Sequence, residues 1–409
     1  MASEVLKKGG EVTSEVLGET RGFDFGGMRF GVKAWRASAS DAREGGALSA
    51  PIVLVHGFAQ QASTWDDAVR LLAGAGAECF GFELAGHGAD ACSAGGDPAE
   101  RPDFFDLCFQ ARALLAFCRV VARDAGVAPV LVGYSMGGRV ALQAACLAAD
   151  DLRDGGELNR ISLRSSAAFA PCDRARRLDV AGACQRDVTA NAARMSAAVP
   201  FSALVLESAG LGPVDNAARE ALRERNFAWA ARVRGEGVSA FMSWWAGLPL
   251  FESQRNLDDD QRERLRAGRF ANDAESLALS FEQAGAHQMP LRCESIRALC
   301  ELAAKGIPVS YLAGELDAKY RKVLADLRAD SHDAVSCRAV PRAGHNIHLE
   351  QPEAFGAILE EVVESCTPEP AAPWHTSSRY DIETCETGII RSENTELNIV
   401  NRRHGVVFP

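Results

Sequence analysis

The chain has 409 residues, of which 47% are hydrophobic and 24% are charged, a composition typical of a folded globular protein. Its formal net charge of −11 argues against broad nucleic-acid binding, because phosphate backbones are bound by surplus positive charge. No apolar run reaches the length of a membrane span, so we expect neither a nucleic-acid-binding protein nor a membrane protein.

The N-terminal segment and the cysteines bear on the compartment. The segment shows no apolar signal core and carries too many acids for a typical transit peptide. The 12 cysteines are scattered, without Cys-x-x-Cys pairs or metal-ligand spacing, which predicts reduced thiols, no disulfide framework and no metal site. We therefore expect a soluble protein of a reducing compartment, either the cytoplasm or, if the source is photosynthetic, a plastid.

Predicted strands and helices alternate through the first half of the chain. A flexible lead is predicted over residues 1–15 and the first part of the core over 16–149. The core segment comprises a hairpin over 16–37, strands at 51–55, 78–83 and 129–133, and helices at 66–74 and 103–124. Because alternating strands and helices build parallel sheets, we predict an α/β fold with helices on both faces of a mostly parallel sheet.

The second half of the chain adds an insertion and a helical block. Periodicity is lost over 150–200, which we interpret as an inserted loop. The remaining segments are a core strand and loop over 201–211, a helical cap over 212–305, the second part of the core over 306–365 and a tail of linker composition over 366–409. Since the helical block separates two core strands, we expect it to cover the active site.

The segment Gly-Tyr-Ser-Met-Gly-Gly-Arg, beginning at Gly133, is the most informative motif. It lies between an apolar strand-like run and a helix-like run, which is the context of a nucleophile elbow. Gly133 and Gly137 permit the tight turn, and the following helix brings its N-terminal N–H groups close to the serine. The motif therefore makes Ser135 a candidate nucleophile or base.

Two partners for Ser135 follow in the chain. Asp317 comes after a predicted strand at 307–313, and His345 comes after one at 335–340. A serine hydroxyl is a weak base or nucleophile unless an imidazole accepts its proton, and the imidazole needs a carboxylate to orient it. The order Ser, Asp, His is that of α/β-hydrolases, so we predict a catalytic triad.

A possible oxyanion hole is also visible in the sequence. The apolar run at 51–55 ends in His-Gly-Phe, and in this fold the loop after that strand supplies one N–H to the hole. The residue after the nucleophile supplies the other. We therefore nominate the backbone N–H groups of Phe58 and Met136 as donors to a developing negative oxygen.

Further residues make the sequence resemble one particular family of enzymes. An arginine follows Ser135 by four residues, and the acid and base lie in the segments Gly-Glu-Leu-Asp-Ala-Lys and Ala-Gly-His-Asn-Ile-His. Together with a tryptophan pair and an arginine in the cap, these resemble the 2-succinyl-6-hydroxy-2,4-cyclohexadiene-1-carboxylate (SHCHC) synthases of menaquinone and phylloquinone biosynthesis. Those enzymes are lyases with the α/β-hydrolase fold, and the resemblance covers the core and the cap.

The resemblance implies a reaction and a set of ligand-binding residues. The expected enzyme eliminates pyruvate from an enolpyruvyl-bearing cyclohexene carboxylate without a cofactor, with the triad as base and the oxyanion hole stabilising an enolate. The implied partner is a small carboxylate-rich substrate. Its binding residues would be Arg139, Arg269, Trp244, Tyr134 and Arg223, the last lying beside Leu222, where the family has an arginine.

Two other functions stay open on the sequence. A serine carboxylic-ester or thioester hydrolase would use the same triad through an acyl-enzyme, although the arginines count against a neutral substrate. A ligand receptor of the same fold would bind without turnover. Pyruvate release, ester cleavage and ligand-dependent partner binding without product would distinguish the three.

Overall fold

The computed structural model describes residues 17–36, 50–74, 76–88, 98–153 and 199–366. The predicted lead over 1–15, most of the predicted insertion over 150–200 and the predicted tail from residue 367 onward lie outside these residues. Within the described ranges, the search for a helix long and apolar enough to cross a membrane finds none.

The sheet accounts for all eight strands of the described residues. They are β1 (Leu17–Phe25), β2 (Met28–Arg36), β3 (Ile52–Val55), β4 (Cys79–Phe82), β5 (Val130–Tyr134), β6 (Ala203–Glu207), β7 (Val309–Gly314) and β8 (Ser336–Val340). Their spatial order is β1-β2-β4-β3-β5-β6-β7-β8. The pairs β1–β2 and β2–β4 are antiparallel and all the others are parallel, which confirms the predicted mostly parallel sheet.

The central strands are apolar because both of their faces are covered. In β3, Ile52 and Leu54 belong to one hydrophobic core, whereas Val53 and Val55 belong to the other. Successive side chains of a strand point to opposite faces, so a strand between two helical layers must be apolar throughout. The same reasoning explains why the short run of β5 is buried at every position.

The helices form two layers and a cap. They are α1 (Asp66–Gly74), α2 (Leu107–Ala125), α3 (Met136–Arg153), α4 (Asn216–Ala246), α5 (Asp259–Phe270), α6 (Ala274–Gln283), α7 (Arg292–Ala304), α8 (Ala318–Asp330), α9 (Ile347–Glu350) and α10 (Pro352–Cys366). Helices α1 and α10 pack on one face of the sheet, and α2, α3, α7 and α8 pack on the other. Helix α7 falls inside the range predicted for the cap but packs beside the sheet against α3.

The cap consists of α4, α5 and α6 with the 3₁₀-helical segment Pro249–Asn256. Helix α4 is interrupted at Gly237, whose φ of 78° is not helical. Arg234 bridges the cap, because its guanidinium forms ion pairs with Glu275 at 2.6 Å and with Glu282. These contacts join α4 to α6 above the carboxyl ends of the strands, where α/β folds place their ligand sites.

Candidate active site

Ser135 occupies the sharp turn between β5 and α3 with a positive φ of 50°. Residues other than glycine rarely adopt this left-handed backbone conformation, so the turn is strained. The neighbouring glycine permits the close approach, since a Cβ on Gly137 would collide with the carbonyl oxygens of Val55 and His56. The Ser135 backbone N–H donates to the carbonyl oxygen of Glu207 at 2.9 Å, which fastens the turn to β6.

The structure brings the three predicted triad residues together. His345 Nε2 lies 3.1 Å from Ser135 Oγ, and His345 Nδ1 lies 2.8 Å from Asp317 Oδ2. The other carboxylate oxygen of Asp317 accepts the backbone N–H of Tyr320 at 3.1 Å and caps α8. Both contacts of the imidazole have hydrogen-bond length, so the ring can accept the serine proton while the carboxylate orients it.

The surroundings of His345 favour its neutral form. Burial lowers the pKa of His345 below its ordinary value of 6.5, although the nearby carboxylate of Asp317 acts in the opposite direction. The ring is 1% exposed and lies among the rings of Tyr134, Phe251 and Tyr320. Because only neutral imidazole accepts a proton, the lowered pKa keeps His345 a competent base at neutral and mildly acidic pH.

The predicted oxyanion-hole donors are the backbone N–H groups of Phe58, in the loop after β3, and of Met136, the first residue of α3. Ala59 of this loop has a φ of 55°, and the cap residue Asn272 donates to its carbonyl oxygen at 3.3 Å. Among the hydrogen bonds of the described residues, none uses the backbone N–H of Phe58 or of Met136. Met136 begins α3, where N–H groups have no intrahelical acceptor. Both N–H groups are thus available to an anionic oxygen.

A cavity of about 480 Å³ opens onto Ser135 and His345. Its volume falls within the range of small-molecule sites. Among the described residues that line it, none is an aspartate or a glutamate, whereas five are cationic, namely Arg139, Arg225, Arg269, Arg292 and Lys319. The electrostatic character of the cavity therefore suits an anionic ligand.

Two of the arginines nominated from the sequence lie in this cavity. Arg139 donates to the carbonyl oxygen of Ala284 at 3.1 Å, and Arg269 donates to Gln254 Oε1 at 3.0 Å. Neither forms an ion pair within the part of the chain that the structure describes. Burial lowers the pKa of each guanidinium to about 10, which still leaves both charged at neutral pH. Buried charge without a counter-ion is unfavourable, so an anionic ligand would relieve it.

Arg223 does not line the cavity, and this prediction is corrected. It pairs with Glu220 at 2.9 Å and lies 5.1 Å from the ring centre of Phe227 on the exposed surface of α4. Arg225 lines the cavity instead, beside Leu222. Residues two positions apart in the sequence point about 200° apart around an α-helix, so only one of these two arginines can face the ligand. Burial lowers the pKa of Arg225, as it does for Arg139 and Arg269.

The prediction that Trp244 binds the substrate is also corrected. The Cζ atom of Arg232 lies 4.1 Å from the ring centre of Trp244. Trp244 is not among the residues that line the cavity. Its neighbour Trp245 lines the cavity and lies 5.0 Å from the Phe58 ring centre. Tyr134 lines the cavity as expected in the sequence, with its ring centre 5.4 Å from that of His345.

Lys319 is a cavity cation that was not nominated from the sequence. It follows the triad carboxylate by two residues, and its Nζ lies 4.8 Å from the ring centre of Tyr320. Its position in the Gly-Glu-Leu-Asp-Ala-Lys segment is the sequence feature from which Lys319 could have been nominated. Arg292 differs from the other cavity cations because Asp326 and Asp330 both pair with it at 3.4 Å.

The comparisons with known proteins agree with this geometry. The family model described as "Alpha/beta hydrolase family" matches residues 52–358, a range that contains the triad and the cap. Among solved structures, that of MenH from S. aureus has a TM-score of 0.57 at 21% identity, with 82% of this chain and 98% of that chain covered. That likeness confirms the α/β-hydrolase fold.

Curated proteins give a narrower relationship. The SHCHC synthase of Escherichia coli O81 (strain ED1a) is 32% identical over 234 residues, which is 57% of this chain and 67% of that protein. A protein of Bacillus subtilis (strain 168) that carries the name of the same activity is 32% identical over 166 residues, 40% of this chain and 57% of that protein's length. The chain thus belongs to the alpha/beta hydrolase family and, within it, is a relative of the SHCHC synthases.

Proposed function

We propose that the protein is an SHCHC synthase, a cofactor-independent lyase that eliminates pyruvate from an enolpyruvyl-bearing succinyl-cyclohexene carboxylate. The observation that carries this function is the combination of the Ser-His-Asp contacts with cations that lack carboxylate partners in the described structure, all in one cavity. An ordinary esterase needs the triad contacts, but it has no need of the cations.

The cations would bind the substrate from several directions. Arg139 belongs to α3, Arg225 to α4 and Arg269 to α5, so the three guanidinium groups reach the cavity from different helices. A guanidinium can bind a carboxylate through two parallel hydrogen bonds, which hold the anion and also fix its orientation. The carboxylates of the substrate would therefore set the position of the carbon that loses its proton.

The triad would act as the base in this reaction. Ser135 Oγ, whose proton is directed to His345 Nε2 at 3.1 Å, would remove the proton α to the succinyl ketone. The electron pair of that C–H bond moves toward the ketone and then through the ring. The C–O bond to the enolpyruvyl group breaks with its electron pair going to oxygen, and the ring gains its second double bond. The departing enolate takes up a proton, which the triad can return from the proton it removed, and so becomes pyruvate. Serine is not acylated in this sequence.

The two free N–H groups would stabilise the intermediate. Proton removal places negative charge on the ketone oxygen, and the N–H groups of Phe58 and Met136 are the available donors for it. The ketone itself acidifies the proton, so no metal or organic cofactor is required. The same donors would serve the acyl-transfer intermediate of a hydrolase, so they do not separate the two enzyme functions.

A continuous assay of the purified chain tests the proposed function. The enolpyruvyl substrate is made fresh by the preceding enzyme, and pyruvate release is followed in the presence of the wild-type chain, of Ser135→Ala and of buffer alone. We expect release well above the spontaneous rate with wild type only. A nitrophenyl ester in parallel measures hydrolysis, which we expect to be slow.

Two results would contradict the proposed function. Brisk ester cleavage without faster pyruvate release would assign the triad to a carboxylic-ester or thioester hydrolase. Tight binding of the enolpyruvyl substrate without any product would instead assign the cavity to a receptor. In both cases the family and the fold would stay as described.

A further inference from the structure

Glu207 is a wholly buried carboxylate at the carboxyl end of β6, and its side chain is 0% exposed. It has no part in the proton transfer described above. Burying a carboxylate costs free energy unless several donors form hydrogen bonds with it, so the presence of Glu207 at this buried position calls for an explanation.

The donors to Glu207 come from the loop that follows the triad histidine. Glu207 Oε1 accepts the backbone N–H of Ile347 at 2.6 Å and that of His348 at 3.2 Å. The imidazole Nδ1 of His348 lies 2.8 Å from Glu207 Oε2 and 3.0 Å from Oε1. The carboxylate is therefore bonded to the second and third residues after His345.

The same residue also contacts the nucleophile. Its carbonyl oxygen accepts the Ser135 N–H at 2.9 Å, and Glu207 pairs with Tyr134 in the register of β5 and β6. Glu207 thus touches the elbow through its backbone and the histidine loop through its side chain. A single residue at a strand end joins the two segments that must meet for proton transfer.

Aromatic rings pack against His348 on two sides. Its ring stacks on Trp65 with ring centres 3.7 Å apart, and the ring of Tyr134 meets it edge-on at 5.0 Å. On the other side of the loop, Glu350 accepts the N–H of Gly344 at 2.7 Å and that of Asn346 at 3.2 Å. Glu207 and Glu350 therefore both accept backbone N–H groups of the loop around His345, and of these two carboxylates Glu207 also contacts the elbow.

We propose that Glu207 is a positioning residue that sets the distance between His345 Nε2 and Ser135 Oγ, an inference that rests on the proposed function only in taking these two groups as the reacting pair. That distance is 3.1 Å, and little lengthening is needed before the hydrogen bond is lost. The role holds equally for a lyase and for a hydrolase. It therefore stands or falls separately from the identity of the substrate.

Glu207→Gln in the full chain tests this role. Glutamine keeps the volume and one acceptor oxygen, but its NH₂ group faces the donors of Ile347 or His348. The first readout is the rate of Ser135 labelling by a small fluorophosphonate, and the second is kcat and KM for pyruvate release. Since a misplacement of about 1 Å can cost about 100-fold, we expect labelling and kcat to fall at least about tenfold with KM within about twofold.

Two further variants make the test decisive. Asp66→Asn is the matched control, because it makes the same chemical change at a partly buried carboxylate that binds Lys33 and Trp35 away from the triad. We expect it to lower the melting temperature without slowing labelling. Glu207→Asp keeps the charge but shortens the side chain, and it replaces Glu207→Gln in the measurement if that variant does not fold.

The outcomes are distinguishable. Slow labelling of a folded Glu207 variant supports the positioning role, even if wild type releases no pyruvate and the proposed function fails. A labelling rate within about twofold of wild type, together with a lowered melting temperature, would show that Glu207 is only structural and would overturn the role. A wild-type Ser135 that resists the label would overturn it as well.

Discussion

Two walls of the cavity are built in opposite ways. The triad wall exposes Ser135 and His345 to the cavity, with Asp317 behind the histidine, and pairs its polar groups with one another. The cationic wall, formed by Arg139, Arg225, Arg269 and Lys319, has no ion pair within the described ranges. A self-contained triad can serve many reactions, whereas unpaired cations await a particular ligand. Under the proposed function, the chemistry would reside in one wall and the choice of substrate in the other.

The largest expected effect is the loss of turnover in Ser135→Ala, which separates catalysis by the triad wall from binding by the cationic wall. In Ser135→Ala we expect kcat for pyruvate release to fall by about 10³-fold, because the base is lost. The dissociation constant of the product should stay within about threefold, since the cationic wall is intact. Steady-state kinetics and titration calorimetry measure the two quantities. Loss of product binding together with turnover would show that the walls are not independent.

The next effect concerns the cationic wall. In Arg139→Ala we expect kcat/KM for the carboxylate-rich substrate to fall by roughly 10- to 100-fold, as removal of a charge-assisted hydrogen bond does. A neutral nitrophenyl ester should change by less than about twofold. Parallel kinetics on both substrates provide the control. Equal losses on both would exclude an anion-binding role for Arg139.

A smaller effect tests which arginine of α4 faces the ligand. In Arg225→Ala we expect KM to rise by about tenfold, because one charged contact at a partly open position is lost. Arg223→Ala is the matched control on the same helix, and its KM should stay within about twofold. The reverse result would restore the assignment made from the sequence.

The smallest effect concerns pH. Burial lowers the pKa of His345, and protonation removes the base, so kcat/KM should fall only as the pH drops through a value below 6.5. Activity should therefore be retained at pH 6.5 and lost on further acidification. A pH–rate profile of the wild-type chain measures the midpoint. A midpoint at or above 6.5 would mean that the charge of Asp317 outweighs the burial of the ring.

The triad wall was predictable from the sequence because its residues are fixed by local structure. Ser135 must follow β5 directly, and Asp317 follows β7, so a short apolar run and a turn are enough to place each one. Parallel strands end at one edge of a sheet, and side chains that follow them converge there. The same rule explains why the loop after β3 could be nominated for the oxyanion hole.

The cationic wall was only partly predictable because it depends on how the cap helices are rotated. Helix α4 has no clear apolar stripe and is interrupted at Gly237, so the sequence does not determine which face meets the cavity. A shift of one or two positions exchanges Arg223 for Arg225 and Trp244 for Trp245. Arg139 lines the cavity because α3 begins at the elbow and fixes the direction of its side chain.

The unpaired arginines also bear on the thermal stability of the protein. Buried cations without counter-ions repel one another and weaken the folded state. A polycarboxylate that binds only the folded chain adds about 2.7 kcal/mol of stability at a concentration 100 times its dissociation constant. The melting temperature of the protein should therefore rise with small di- and tricarboxylates and hardly at all with their esters. Heat denaturation would then report the shape of the preferred anion before any turnover is measured.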